Sequence, residues 1–109
     1  MIRVGAVGIP LKVHVVDKDG ADVPIDGTSA KYILLTSAKG VTVQKTAEFV
    51  TDGTDGWMKY VTEAGDIGAD RTDNDAAGTW KIQGYVTWAT PVSLDTEVED
   101  FKVGKNLVP

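Results

Sequence analysis

The sequence predicts an all-β domain built as a two-sheet sandwich, and three observations carry that expectation. Period-two hydrophobic alternation recurs in short runs, Asp- and Gly-rich turn signals separate the runs, and no segment offers a convincing helical stripe. The chain has 109 residues, room for one domain with one hydrophobic core. Apolar residues make up 42% and charged residues 25%, proportions of a folded domain and not of a disordered chain.

Ile9 to Val16 reads as the first strand, with Ile9, Leu11, Val13 and Val15 on one face and Lys12 and His14 on the other. Asp17-Lys18-Asp19-Gly20 ends it as a turn, because Asp caps backbone N–H groups and Gly takes a positive φ. A polar connection through Pro24 and Gly27 leads to a second strand over Thr28 to Thr36. There Ala30, Tyr32 and Leu34 are expected inside, alternating with Ser29, Lys31 and Ile33.

Ser37-Ala38-Lys39-Gly40 has the length and terminal glycine of a hairpin loop, so Val41 to Thr51 should return antiparallel as a long third strand. Val41, Val43, Ala47 and Phe49 share a parity that Lys45 interrupts, so its outer part is expected to twist into solvent. Asp52-Gly53-Thr54-Asp55-Gly56 holds two Asp-Gly pairs in succession, the strongest turn signal in the chain, and Trp57 to Val61 follows as a short fourth strand.

Alternation vanishes from Thr62 to Gly78, a loop in which Ile67 is the one sizeable apolar anchor. Thr79 to Trp88 then places Trp80, Ile82, Gly84, Val86 and Trp88 on one parity, the pattern of a central strand. Ala89-Thr90-Pro91 breaks it. In the final run, Val92 and Leu94 have one parity while Phe101 and Val103 have the other, which demands a bulge, a bend or a change of sheet between Asp95 and Asp100.

Charge and composition narrow the chemistry. Eleven basic residues are scattered singly among sixteen acidic ones, for a net charge of −5, which disfavours a nucleic-acid partner. Residues 4–11 are interrupted by Gly5, Gly8 and Pro10, well short of the ~20 apolar residues of a membrane helix, and no secretion signal is recognisable. The chain has no cysteine, so neither disulfides nor thiolate-held metals contribute.

His14, the single histidine, lies on the polar face of a strand without a nucleophile motif nearby, so no catalytic residue is assigned. Asp17, Asp19 and Asp22, and separately Asp70, Asp73, Asn74 and Asp75, have the oxygen ligands a calcium ion takes. The first set lacks the spacing and closing Glu of a calcium loop and reads as a turn; for the acidic loop 66–75 a cation stays open, and no cofactor is assigned. Trp57 and Trp88 are candidate interface residues, because an exposed Trp at a rim can stack on a partner or a sugar. Leu11, Val13, Tyr32, Phe49, Trp80, Ile82 and Phe101 are the expected structural core.

The order of these features resembles the immunoglobulin-like domain of tailed-phage virion proteins, including the amino-terminal domain of the baseplate upper protein family. The resemblance runs over residues 9–107 and rests on the "VVDKDG" strand end, the "FVTDGTDG" turn, "AGDI", the "AGTWKIQ" strand and the closing "FKVGKNL". The stretch Gly68 to Asp75 is an insertion relative to that pattern. The resemblance implies an immunoglobulin-like sandwich of about seven antiparallel strands, a virion setting and no active site.

It further implies binding to other virion proteins, either the major capsid protein or tail and baseplate components, with homo-oligomers on the particle. Residues 1–8 are then expected as an N-terminal arm, with Ile2, Arg3 and Val4 available to neighbouring subunits, and 108–109 as a C-terminal tail. The end of the chain at Pro109 favours a capsid decoration module over a baseplate, tail or neck adaptor. A carbohydrate-binding module using Trp57 or Trp88 is the alternative of another class.

Overall fold

A computed structural model describes residues 2–89 and 92–108. Thr90 and Pro91 of the expected break, Met1 of the expected arm and Pro109 of the expected tail lie outside the described residues. The strands are β1 (Ile2–Arg3), β2 (Pro10–His14), β3 (Ala30–Thr36), β4 (Thr42–Thr46), β5 (Glu48–Phe49), β6 (Trp57–Val61), β7 (Gly78–Thr87), β8 (Ser93–Asp95) and β9 (Glu99–Gly104). A single 3₁₀ turn, Asn74–Ala76, is the helical element among the described residues.

The larger sheet has the order β1-β9-β7-β3-β4, with β8 beside the other half of β7; the smaller is β2-β6-β5. Every pairing is antiparallel except β1 with β9. Taking β2 as strand B of the immunoglobulin scheme, the smaller sheet reads B-E-D and the larger G-F-C-C′, so the fold is an immunoglobulin-like β-sandwich. β7 is the central strand, as its alternation predicts.

Two clusters fill the interior. Leu11, Val13, Val15, Ile25, Ile33, Leu35, Met58, Ile82 and Val86 form the main core between the sheets. Val4, Ile67, Ala76, Trp80 and Val103 form a second cluster beneath the 62–77 loop. Gly84 lets the sheets approach at the centre: a Cβ there would lie 2.6 Å from Met58 Cε and 2.8 Å from Val13 Cγ2. Ile67 anchors the loop, being fully buried.

Three expectations are corrected. The core parity of β3 is the opposite one: Ile33 and Leu35 are buried, while Tyr32 and Leu34 lie half-exposed on the outer face. Lys31 shares the inner parity because it sits at the strand's end, where its ammonium covers the Phe49 ring at 4.5 Å. The long third strand divides at the buried Ala47. β4 stays in the larger sheet, with Val41 and Val43 in solvent, and β5 crosses to the smaller.

Residues 2–8 are not a free arm. Ile2–Arg3 adds to the sheet, Val4 is buried, and the amides of Gly5 and Gly8 donate to Ile67 O (2.6 Å) and Thr62 O (2.8 Å). Asn106 closes this end, donating from Nδ2 to the carbonyls of Val4 and Arg71, each at 2.9 Å, while its backbone pairs with the Asn74 amide. Trp80, expected in the structural core, is buried as part of the second cluster.

The parity change in the last run is a one-residue bulge. β8 is in register to set Thr96 against Gly84, and the two exchange bonds: Thr96 N–H donates to Gly84 O at 2.9 Å, and Gly84 N–H to the Thr96 hydroxyl at 2.8 Å. β9 resumes with Glu99 opposite Ile82, leaving Glu97 and Val98 together opposite Gln83.

Candidate docking surface

β3 carries four consecutive apolar residues, Tyr32-Ile33-Leu34-Leu35, so both of its faces are apolar. One face fills the core. The other gives the larger sheet an outer face on which Tyr32 lies directly opposite Tyr85, their rings stacked 6.4 Å apart at 11°. Leu34 lies next along the strand, flanked by Gln83 and Gln44, followed by Thr36 between Lys81 and Thr42.

The centre of this face is uncharged, and charge sits at its rim. Lys81 pairs with Asp100 at 2.9 Å, Lys102 bonds the Thr79 hydroxyl, and Asp95 stands beside Tyr85. Tyr side chains offer broad amphipathic contact at low entropy cost, and a core free of charge with a charged rim is the anatomy of a protein interface. Pleat alternation alone places all of these groups together, since residues opposite one another in register share a face.

The smaller sheet presents a different outer face. His14 and Trp57 are cross-strand neighbours whose rings stack at 4.3 Å and 5°. His14 Nε2 reaches both Asp22 Oδ1 (2.8 Å) and Asp55 O (3.0 Å), tying the 17–22 turn to the 52–56 turn. Trp57 is 37% exposed, with one ring face covered by the imidazole.

At the opposite side, one polar cluster links the two sheets. Asp66, from the loop, accepts from the Tyr60 hydroxyl and from Glu63 N–H (2.7 Å) on Oδ2, and pairs with Lys45 Nζ at 3.0 Å through Oδ1. Burial works to raise the Asp66 carboxyl, but the Tyr60 hydroxyl, the Glu63 amide and Lys45 outweigh it and hold the group below its ordinary value. Tyr60 is pushed up, first by burial and then by its bond to the Asp66 carboxylate.

These shifts set opposite ends of a stability window. The contribution of Asp66 is present above its unfolded pKa of about 3.9 and is lost as pH falls through the lowered folded value. The contribution of Tyr60 is complete below about pH 10 and is lost as pH rises through the raised value. Urea denaturation across pH should therefore show Tyr60→Phe flattening the alkaline limb, with Asp66→Asn flattening the acid limb as well. Unchanged limbs would mean the cluster contributes nothing to folding.

The residues singled out from sequence fall in several places. Ile2 is half-buried against both clusters, and Arg3 is exposed with Nη1 donating to Lys105 O at 2.7 Å. Val4 is a core residue and no interface residue, because its side chain fills the second cluster. Trp88 likewise packs half-buried against the main core; Trp57 remains at the surface. Of the expected core, Leu11, Val13, Trp80 and Ile82 are buried, and Phe49 and Phe101 are partly buried against it.

Tyr32 was expected inside and instead lies at the centre of the outer face. Its neighbours Leu34 and Tyr85 are the residues that sequence reasoning missed, although the four-residue apolar run was the signal. In the two candidate calcium sets three Asp residues serve as turn caps: Asp17 accepts from Asp19 and Ala21 N–H, Asp70 from Thr72 N–H, and Asp73 from Ala69 N–H, while Asp22 pairs with His14. Among the described residues no three His, Cys, Asp or Glu side chains are placed to hold a metal ion together. No family model, curated protein or solved structure matches the chain significantly.

Proposed function

We propose that the chain is a bacteriophage virion structural protein that acts by binding other virion proteins, as a decoration module on the head. A tail, baseplate or neck adaptor is the alternative location. The observation that carries a binding role is the outer face of the larger sheet, where Tyr32, Leu34 and Tyr85 form an uncharged stripe with charges only at the rim. The virion setting is supported by the resemblance, whose "TDGTDG" and "AGTWKIQ" segments form the 52–56 turn and the lead into the central strand.

The occupant of that face is a major capsid subunit, and many copies on a symmetric shell make weak contacts effective through avidity. A carbohydrate-binding role draws less support, since Trp88 is packed on the core and His14 covers one face of Trp57. Antibody labelling of negatively stained phage particles should place the chain regularly on heads. A Tyr32→Glu/Tyr85→Glu variant should keep its melting temperature within a few degrees and bind stripped particles at least tenfold more weakly, about 1.4 kcal/mol. Particles that carry no label would overturn the virion reading, and label confined to tails would move the chain to the adaptor role.

A further inference from the structure

The two sheets are unequal in width. The smaller has three strands, β2-β6-β5, against a larger sheet with β9 and β8 on one side of β7 and β3-β4 on the other. Strands lie about 4.8 Å apart, so the smaller sheet stops short of the larger at one side. β2 is the strand at which it stops. In the immunoglobulin scheme a further strand, A, lies beside B; here the first strand, β1, pairs in the larger sheet beside β9, and no strand lies beside β2 among the described residues.

Three consequences are visible at that side. First, the backbone is unpaired. Val15 N–H donates to Gly56 O, across β6, so the odd-numbered residues of β2 bond inward and the N–H and C=O groups of Lys12 and His14 point to the open edge. Second, the core-facing parity of the larger sheet is uncovered there. Glu99 lies opposite Ile82 and faces the same way, yet it is exposed, and Leu94, opposite Val86, is only half-buried.

Third, the space between is a cleft of about 400 Å³ running from the end of β2 to the β8–β9 bulge. Its apolar lining is Val13, Val16 and Leu94. Its mouth carries Asp17, Asp95, Glu97 and Glu99, against which Lys18 and His14 are the basic groups. A segment entering this cleft meets a ladder of backbone donors and acceptors, an apolar lining on alternate residues, and an excess of negative charge at the mouth.

We infer that the open edge of β2 takes up an extended segment of another protein, one that alternates apolar residues with Lys or Arg, as an added strand completing the smaller sheet. Backbone bonds to Lys12 and His14 supply affinity and register, the inward-facing apolar residues cover Leu94, and the basic residues answer the acidic mouth of the cleft. Apart from Asp95, which borders both, this edge shares no residue with the Tyr32–Tyr85 face, and it does not depend on the virion reading. Pro10, without an N–H, is a device that keeps strands from pairing indiscriminately at such an edge.

The probe is a blocked peptide of about seven residues alternating Val and Lys, titrated into the full ¹⁵N-labelled chain at low salt. Saturable shifts are expected at Lys12, His14, Leu94 and Glu97, with hydrogen exchange at the Lys12 and His14 amides slowed at least tenfold. A peptide N-methylated at alternate residues keeps its charge and side chains but should lose the binding. The surface variant Glu97→Lys/Glu99→Lys should weaken it at least tenfold without moving the melting temperature. The inference is overturned by an absence of shifts up to millimolar peptide, by equal binding of a Val-Glu peptide, or by undiminished binding of the N-methylated form. Concentration-dependent protection of the same amides without peptide would make a second copy the occupant and equally overturn it.

Discussion

Replacing Trp80 with alanine is expected to lower the unfolding free energy by about 3–5 kcal/mol, the range for truncating a buried aromatic ring. Trp80, on β7, is 4% exposed and is the largest side chain of the second cluster, which it shares with Val4, Val103 of β9, and Ile67 and Ala76 of the 62–77 loop. Its Nε1 donates to Ala76 O at 2.8 Å in a buried setting, and its ring tilts against Phe101 at 6.1 Å. The truncation removes the ring's transfer free energy, leaves a cavity, and strands the Ala76 carbonyl without its donor. Thermal unfolding should fall on the order of 15–30 °C for a chain of this size. Trp80→Phe, which keeps an aromatic ring but not the N–H, should lose substantially less. A shift of only a few degrees in Trp80→Ala would mean that the loop holds its position without the ring.

Much of the architecture was legible because pleat alternation is a local rule. In β2 and β7 one parity is apolar and the other polar, so Leu11, Val13, Ile82 and Val86 could be assigned to the interior directly. β3 defeated the same rule, since Tyr32-Ile33-Leu34-Leu35 is apolar on both parities and only the partner sheet decides which one is covered. Lys31 tipped the choice the wrong way, because a long ammonium at a strand end can lie over an aromatic ring such as Phe49 while its strand parity still faces inward.

What stayed hidden depends on contacts far apart in the chain. Residues 2–8 hold their place through Gly104, Ile67, Thr62 and Asn106, and nothing within that short segment announces those partners. Asp66 reads locally as one more loop carboxylate, yet it meets Tyr60 and Lys45 from two different sheets. The bulge at Glu97–Val98 was legible as a change of parity, but its placement beside the uncovered edge of β2 needed both sheets in place. The outer face is the same case: Tyr32 was expected inside, so the pair it forms with Tyr85 went unseen.

Gly56→Ala should be among the most damaging of the small substitutions, because two independent penalties meet at that position. Its φ is +78°, where an L side chain costs roughly 1–2 kcal/mol, and an added Cβ would lie 2.5 Å from Val15 O and 2.9 Å from Val23 O. Those carbonyls belong to backbone and cannot swing away as a side chain could. Val15 O accepts from Val23 N–H at 3.0 Å, and Gly56 O accepts from Val15 N–H at 2.8 Å, so relief of the clash pulls on both bonds. The neighbouring carbonyl of Gly53 accepts from Ile25 N–H at 2.7 Å, and Val15 and Ile25 are both in the main core, so the disturbance propagates inward. The expected loss is about 3–5 kcal/mol, combining backbone strain with overpacking against fixed atoms. Gly20→Ala supplies the control: φ there is +83° with nothing within 4 Å of the added Cβ, so it carries the conformational penalty alone, about 1–2 kcal/mol. Urea midpoints for the two variants separate strain from contact. Equal losses would show that the turn yields to the clash and that its close approach to Val15 contributes nothing to the fold.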